Sequence, residues 1–149
     1  MNDYIYLSIK DEVTSINLTI TDYEYDYEYD YEKEIDIATK TNVLKCYYNY
    51  SDNDGWGSVE DTIPSEDVSE FATLFTKLIN NKINEFKIEK RLFVCEVKRI
   101  STYYHVDFKI DDGLTGTWIQ VVKDNMSKGE VEFLANAVIS WAKAFPVPN

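Results

Sequence analysis

Carboxylate and phenol groups alternate along one stretch of the chain, residues 22–36, called here the alternating segment. Every even-numbered position from Asp22 to Asp36 is an acid, and every odd position from Tyr23 to Tyr31 is tyrosine. Because alternate side chains of a β-strand point to opposite faces, this pattern predicts carboxylates on one face and phenol rings on the other. Neighbouring carboxylates would stand about 6.6 Å apart and repel by about 0.6 kcal/mol per pair even in water. A cationic surface that covers the row would offset this repulsion.

The negative charge of the protein is concentrated in this segment. The 149 residues include 27 acids and 15 bases, which gives a net charge of -12. Residues 22–36 hold eight acids and one base, a net charge of -7, which leaves -5 for all other residues. Direct binding to nucleic acid or to an anionic membrane would require clustered Lys and Arg, so the sequence argues against both kinds of partner. The predicted partner is a basic protein, bound by a monomer in a one-to-one complex.

We assign the predicted binding site to the centre of the alternating segment. The carboxylates expected to supply its charge are Asp26, Glu28, Asp30 and Glu32. The rings expected to supply contact area are Tyr25, Tyr27 and Tyr29. Tyrosine suits this role because it brings a large ring and a hydroxyl with little conformational freedom to lose. In the alternative interpretation, the tyrosines face the core and the acids form a solvated strand face.

The other residue types that could do chemistry do not form a catalytic or metal site. The single histidine, His105, is predicted to lie on the solvated face of a strand, and no nucleophile, phosphate-loop or zinc motif is present. The acid-rich turn at residues 52–55 has no glutamate in the frame that a calcium loop requires. We therefore predict a protein that is not an enzyme and that uses no cofactor and no metal.

The two cysteines and the amino end indicate a cytoplasmic, soluble chain. Cys46 and Cys95 lie in apolar runs without CxxC spacing, which predicts buried free thiols. Residues 1–10 lack the pattern of a secretory signal, and no apolar run reaches the length of a membrane span.

Hydrophobic periodicity predicts eight strands and two helices. The strands are predicted at residues 4–9, 16–20, 43–50, 56–62, 84–88, 92–98, 103–110 and 117–122. The second strand runs into the alternating segment, whose 15 positions exceed the usual strand of about 5–6 residues, so its middle is either strand or solvated loop. One helix is predicted to begin at Ser65 as its N-cap, and another at a capping box formed by Ser127 and Glu130.

The order of these elements predicts an α+β fold. Each helix follows a block of strands, which suggests two strand-then-helix halves in one domain over residues 1–149. We expect a mainly antiparallel sheet of about six to eight strands with two helices packed on it.

Three stretches, in this order, resemble the WapI type of small bacterial immunity proteins. They are INLTITDYEYDYEYDYE, the mid-chain helix DVSEFATLFTKLI, and the closing SKGEVEFLANAVISWAKAFP, and the resemblance spans roughly residues 15–146. It implies a protein that neutralises a toxin domain by direct binding, without catalysis of its own. A toxin that cuts nucleic acid surrounds its active site with Lys and Arg, which an acidic surface can occupy.

A second hypothesis is a nucleic-acid mimic that inhibits restriction enzymes or other DNA-binding proteins. Carboxylates on one face of a strand repeat every 6.8 Å or so, which approximates the step between phosphates along one nucleic-acid strand. A mimic would be captured by many unrelated DNA-binding proteins, whereas an immunity protein would be captured by one cognate toxin.

Overall fold

Two four-stranded antiparallel sheets, each followed by a helix, make up the fold. The computed structural model describes residues 4–148. The elements are β1 Tyr6–Lys10, β2 Ser15–Asp30, β3 Ile35–Asp52, β4 Gly55–Pro64, α1 Ser65–Ile79, β5 Glu85–Glu89, β6 Phe93–Ile100, β7 Tyr103–Asp111, β8 Trp118–Met126 and α2 Lys128–Ala144. The strand orders are β1-β2-β3-β4 and β5-β6-β7-β8, so consecutive strands are neighbours throughout. The predicted α+β class is confirmed; the difference is that the eight strands form two sheets instead of one.

The strands and helices bury one face each, as their sequence periods require. In β7, alternate residues from Tyr104 to Ile110 are buried while the residues between them are half-buried. In α1, the buried residues Val68, Phe71, Phe75 and Leu78 recur every three or four positions and form one stripe. Buried side chains from both sheets and both helices join in a single hydrophobic cluster. The prediction that residues 1–149 form one domain stays a prediction.

Hydrogen bonds from buried and half-buried aromatic residues join the two halves. The hydroxyl of Tyr48 donates to the carbonyl oxygen of Asp111 at 2.8 Å, and that of Tyr50 donates to the carbonyl oxygen of Asp112 at 3.1 Å. The indole Nε1 of Trp141, in α2, donates to the carbonyl oxygen of Ile5 at 2.7 Å. These bonds satisfy polar groups that burial would otherwise leave without partners.

One local prediction is wrong and one is confirmed. Ser65 is not the N-cap of α1, because Pro64 occupies that position and the Ser65 hydroxyl donates to the carbonyl oxygen of Asn42 instead. The predicted capping box of α2 is present, with Ser127 and Glu130 each accepting from the other's backbone amide. Within residues 4–148, no helix is long and apolar enough to cross a bilayer.

Asp112 organises the loop between β7 and β8 and makes the stability of the fold depend on pH. Its carboxylate accepts from the Thr115 hydroxyl and from the backbone amides of Leu114 and Thr115, which lowers its pKa to about 2. Because its pKa is lowered, the charged carboxylate stabilises the folded state at pH values above its ordinary pKa of 3.8. This stabilisation is lost as the pH falls toward 2.

Replacement of Asp112 by asparagine is therefore expected to lower the unfolding free energy at neutral pH. The difference from the unaltered protein should shrink between about pH 4 and pH 2, which urea unfolding at several pH values measures. Asp54→Asn, at an exposed carboxylate in the β3–β4 turn, is the control and should change little. A pH-independent difference for Asp112→Asn would contradict this role.

Candidate functional site

The alternating segment forms most of a hairpin that projects beyond the first sheet. The pairing of β1 with β2 ends at Tyr6 opposite Thr19, and that of β4 with β3 ends at Pro64 opposite Val43. Beyond these points β2 and β3 pair only with each other. We call residues 24–41, which form the projecting part of this hairpin, the arm.

The counterpart of this hairpin in the second half of the protein is much shorter. The equivalent hairpin there is formed by β6 and β7, with 8 and 9 residues, and turns at Ser101 and Thr102. The strands β2 and β3 have 16 and 18 residues, about twice as many. An isolated two-stranded hairpin gains little stability in water, so the extra length points to a binding role.

The middle of the alternating segment is strand and not loop. Pairs run from Tyr25 opposite Lys40 to Asp30 opposite Ile35, and the chain turns at residues 31–34. One carboxylate oxygen of Asp30 accepts from the backbone amides of Glu32 and Lys33, at 3.0 and 3.2 Å, and so holds the turn. The alternation therefore continues through the strand, and the reversal comes only where the tyrosines end.

The predicted carboxylates lie on one face of the arm. Asp26, Glu28 and Asp30 are on the same side of β2, and their cross-strand neighbours are Thr39, Ile37 and Ile35. Asp26 and Glu28 are exposed, and Asp30 is half-buried by the turn that it holds. Glu32 belongs to the turn and is exposed at its tip. We call the face with these carboxylates the acidic face; a partner can reach it without any rearrangement of the core.

The tyrosines form the opposite face; Tyr23 is buried in the core, and Tyr25 is half-buried and packs against it. The Tyr23 ring is buried 5.5 Å from that of Phe145, and its hydroxyl donates to the carbonyl oxygen of Pro146 at 2.6 Å. This burial raises the pKa of Tyr23. Tyr25 continues the row at 6.5 Å between ring centroids, and Tyr27 follows at 6.4 Å with 71% of its surface exposed.

Tyr29 also lies on this face and is exposed. The alternative interpretation, with the tyrosines facing the core, therefore holds for Tyr23 and in part for Tyr25, and it is wrong from Tyr27 onward. The predicted contact residues Tyr25, Tyr27 and Tyr29 form one row that a partner can touch, although Tyr25 is half-buried.

Sequence reasoning missed a cavity at the foot of the arm. It lies on the outer face of the first sheet and has a volume of about 670 Å³. The residues that line it are Tyr4, Tyr6, Thr19, Thr21, Glu24, Lys45, Cys46, Tyr47, Glu60, Asp61 and Thr62. Four strand segments contribute, and their side chains meet only through the register of the sheet; for example, Tyr6 lies opposite Thr19, and Tyr47 opposite Glu60.

The cysteines, the histidine and one tryptophan outside the arm have structural surroundings. Cys46 and Cys95 are free and buried, as predicted, and burial raises the pKa of the Cys46 thiol to about 12. His105 Nδ1 lies 2.8 Å from the Asp124 carboxylate, on a partly exposed strand face. Trp118, the first residue of β8, is 39% exposed, with Lys109 Nζ 5.5 Å from its ring centroid.

The same architecture occurs in the solved structure of one plant protein, and two further plant structures align along the chain. WHY1 from Arabidopsis thaliana aligns over 99% of this chain and 87% of its own, with a TM-score of 0.54 and 8% identity. The plant transcriptional regulator PBF-2 aligns over 100% and 92%, with a TM-score of 0.49 and 11% identity. WHY3 from Arabidopsis thaliana aligns over 97% and 94%, with a TM-score of 0.49 and 11% identity. No family model and no curated protein matches the sequence.

These findings correct the function predicted from the sequence. Over 99% of its length the chain shares its fold with the plant protein WHY1, and none of the comparisons gives a likeness to an immunity protein. The predicted neutralisation of a toxin, the toxin domain as partner and the exclusion of nucleic acid are therefore wrong. The resemblance to the WapI type stays a prediction, and what the comparison establishes for this chain is its fold.

Proposed function

We propose that the protein is a nucleic-acid mimic that binds DNA-binding proteins through its arm and competes with their DNA. The observation that carries the proposal is the row of carboxylates on the acidic face, held at regular spacing on a hairpin about twice as long as its counterpart in the second half. A site that binds phosphates offers Lys and Arg, and the same cations attract a carboxylate row.

The geometry of the row fits this role. Same-face residues of a strand repeat every 6.6 to 6.8 Å, roughly the step between successive phosphates of an extended nucleic-acid strand. The β2–β3 pairing keeps Asp26, Glu28 and Asp30 at this spacing, whereas a flexible acidic tail would have to be ordered on binding. The mimic therefore presents its charges with little further loss of conformational entropy.

The proposal includes binding without catalysis and a cytoplasmic location. Cys46 and Cys95 support the location, because buried free thiols are typical of compartments where cysteines stay reduced. The proposed role needs only surface charge and contact area, and the arm supplies both.

The test is displacement of labelled DNA from a panel of unrelated, purified DNA-binding domains. Each domain is loaded with a fluorescent oligonucleotide, this protein is added, and fluorescence anisotropy measures the DNA released. The matched variant replaces residues 25–40 by an Asn-Gly turn between Glu24 and Thr41. This short hairpin should form because the Thr41 hydroxyl already donates to the carbonyl oxygen of Glu24 at 2.9 Å.

We expect the unaltered protein to release DNA from several of these domains and the armless variant to release none. The proposal would be overturned if the unaltered protein released DNA from none of the domains, or if the armless variant released as much DNA as the unaltered protein. Direct binding of the labelled DNA by this protein, retained in the armless variant, would also overturn it and would indicate a nucleic-acid-binding protein.

A further inference from the structure

We propose that the cavity at the foot of the arm binds an arginine side chain of the partner protein. This inference deepens the proposed function and rests on it for the nature of the partner. The site would take the planar, cationic guanidinium group and so anchor a partner that lies along the acidic face of the arm.

The acidic face and the cavity form one continuous surface. Asp22 lies opposite Lys45 in the register of β2 and β3, and Lys45 lies opposite Thr62 of β4. Glu24 follows Asp22 on the same side of β2 and lines the cavity, while Asp26 begins the exposed row two residues further on. A cationic partner that covers the row therefore has the cavity at one end of its contact surface.

The charges in the cavity favour a cation. Three carboxylates line it, and that of Asp61 is already paired with Arg91 at 3.0 Å. The carboxylates of Glu24 and Glu60 make no ion pair in the part of the chain that the structure describes. Lys45 is the one cationic side chain among the lining residues, so an incoming cation has two carboxylates available to it.

The aromatic walls favour guanidinium over ammonium. Tyr4, Tyr6 and Tyr47 line the cavity, and each keeps part of its ring accessible. The flat guanidinium stacks on an aromatic ring and can donate to a carboxylate with two parallel hydrogen bonds. The ammonium of lysine is a compact point charge that does neither as well. Buried arginine and tyrosine contacts are also those that most often dominate binding at protein interfaces.

The test uses argininamide as the probe, followed by NMR on the isotope-labelled protein. We expect resonances of residues around the cavity, such as Tyr6 and Tyr47, to shift with a millimolar dissociation constant. Lysinamide should bind about fivefold more weakly because it lacks the stacking and the paired hydrogen bonds. The double variant Glu24→Gln/Glu60→Gln should weaken argininamide binding about tenfold, whereas Glu85→Gln/Glu132→Gln, remote from the cavity, should leave it unchanged.

The armless variant separates this inference from the proposed function. It keeps every residue that lines the cavity, so argininamide should bind to it as to the unaltered protein. Absence of shifts at the cavity, or equal binding of lysinamide, would overturn the arginine site while leaving the role of the arm intact. Tighter binding of adenosine monophosphate than of argininamide at the same residues would overturn it in favour of a nucleobase site.

Discussion

Replacement of four arm carboxylates by amides is expected to weaken the displacement of DNA from its binding proteins about 100-fold, which corresponds to about 2.8 kcal/mol. The variant carries Asp26→Asn, Glu28→Gln, Asp30→Asn and Glu32→Gln. Each of the four charges would then contribute about 0.7 kcal/mol, within the range for ion pairs at a surface. The loss should appear mainly in the association rate and should diminish as salt is added, because the row acts by electrostatic attraction. Anisotropy titrations and stopped-flow mixing at several salt concentrations measure both effects.

A second quadruple variant controls for net charge. It carries Glu12→Gln, Asp54→Asn, Glu85→Gln and Glu132→Gln, which remove four negative charges outside the arm. We expect it to displace DNA nearly as well as the unaltered protein. Equal weakening in both variants would mean that net charge, and not the row on the acidic face, governs binding.

Truncation of Phe93 to alanine is expected to lower the unfolding free energy by about 3–5 kcal/mol. This side chain is fully buried at the start of β6, with its ring centroid 4.9 Å from that of Phe71 and 6.0 Å from that of Phe108. The cavity left behind lies between α1 and the second sheet, where the surrounding rings cannot close it fully. Since single domains are stable by only about 5–15 kcal/mol, urea unfolding should show a large shift of the midpoint.

Phe133→Ala removes the same atoms from a different environment. Phe133 lies on α2 and is 69% exposed, so its truncation should change the unfolding free energy by less than about 0.5 kcal/mol. A similar loss in both variants would contradict the assignment of Phe93 to the core and Phe133 to the surface.

The sequence by itself determined the elements and the faces they bury. The alternation of Tyr104, Val106, Phe108 and Ile110 predicts the buried face of β7, and the capping box at Ser127 predicts the start of α2. These signals are local, because the direction of the side chains repeats every two residues in a strand and every 3.6 residues in a helix, and a capping box spans four residues. The same period separated Asp26, Glu28 and Asp30 from Tyr25, Tyr27 and Tyr29 on opposite faces of the arm, while their contact with a partner stays a prediction.

Only the tertiary structure decided where the elements meet. The sequence predicts neither the division of eight strands into two sheets nor the projection of the arm, because each depends on which strands pair and where the pairing ends. The sequence signal of Ser65 as an N-cap is overridden by a tertiary contact, because its hydroxyl donates to the carbonyl oxygen of Asn42. The cavity depends on register, because Tyr6, Tyr47 and Glu60 become neighbours only when three long-range strand pairings align them.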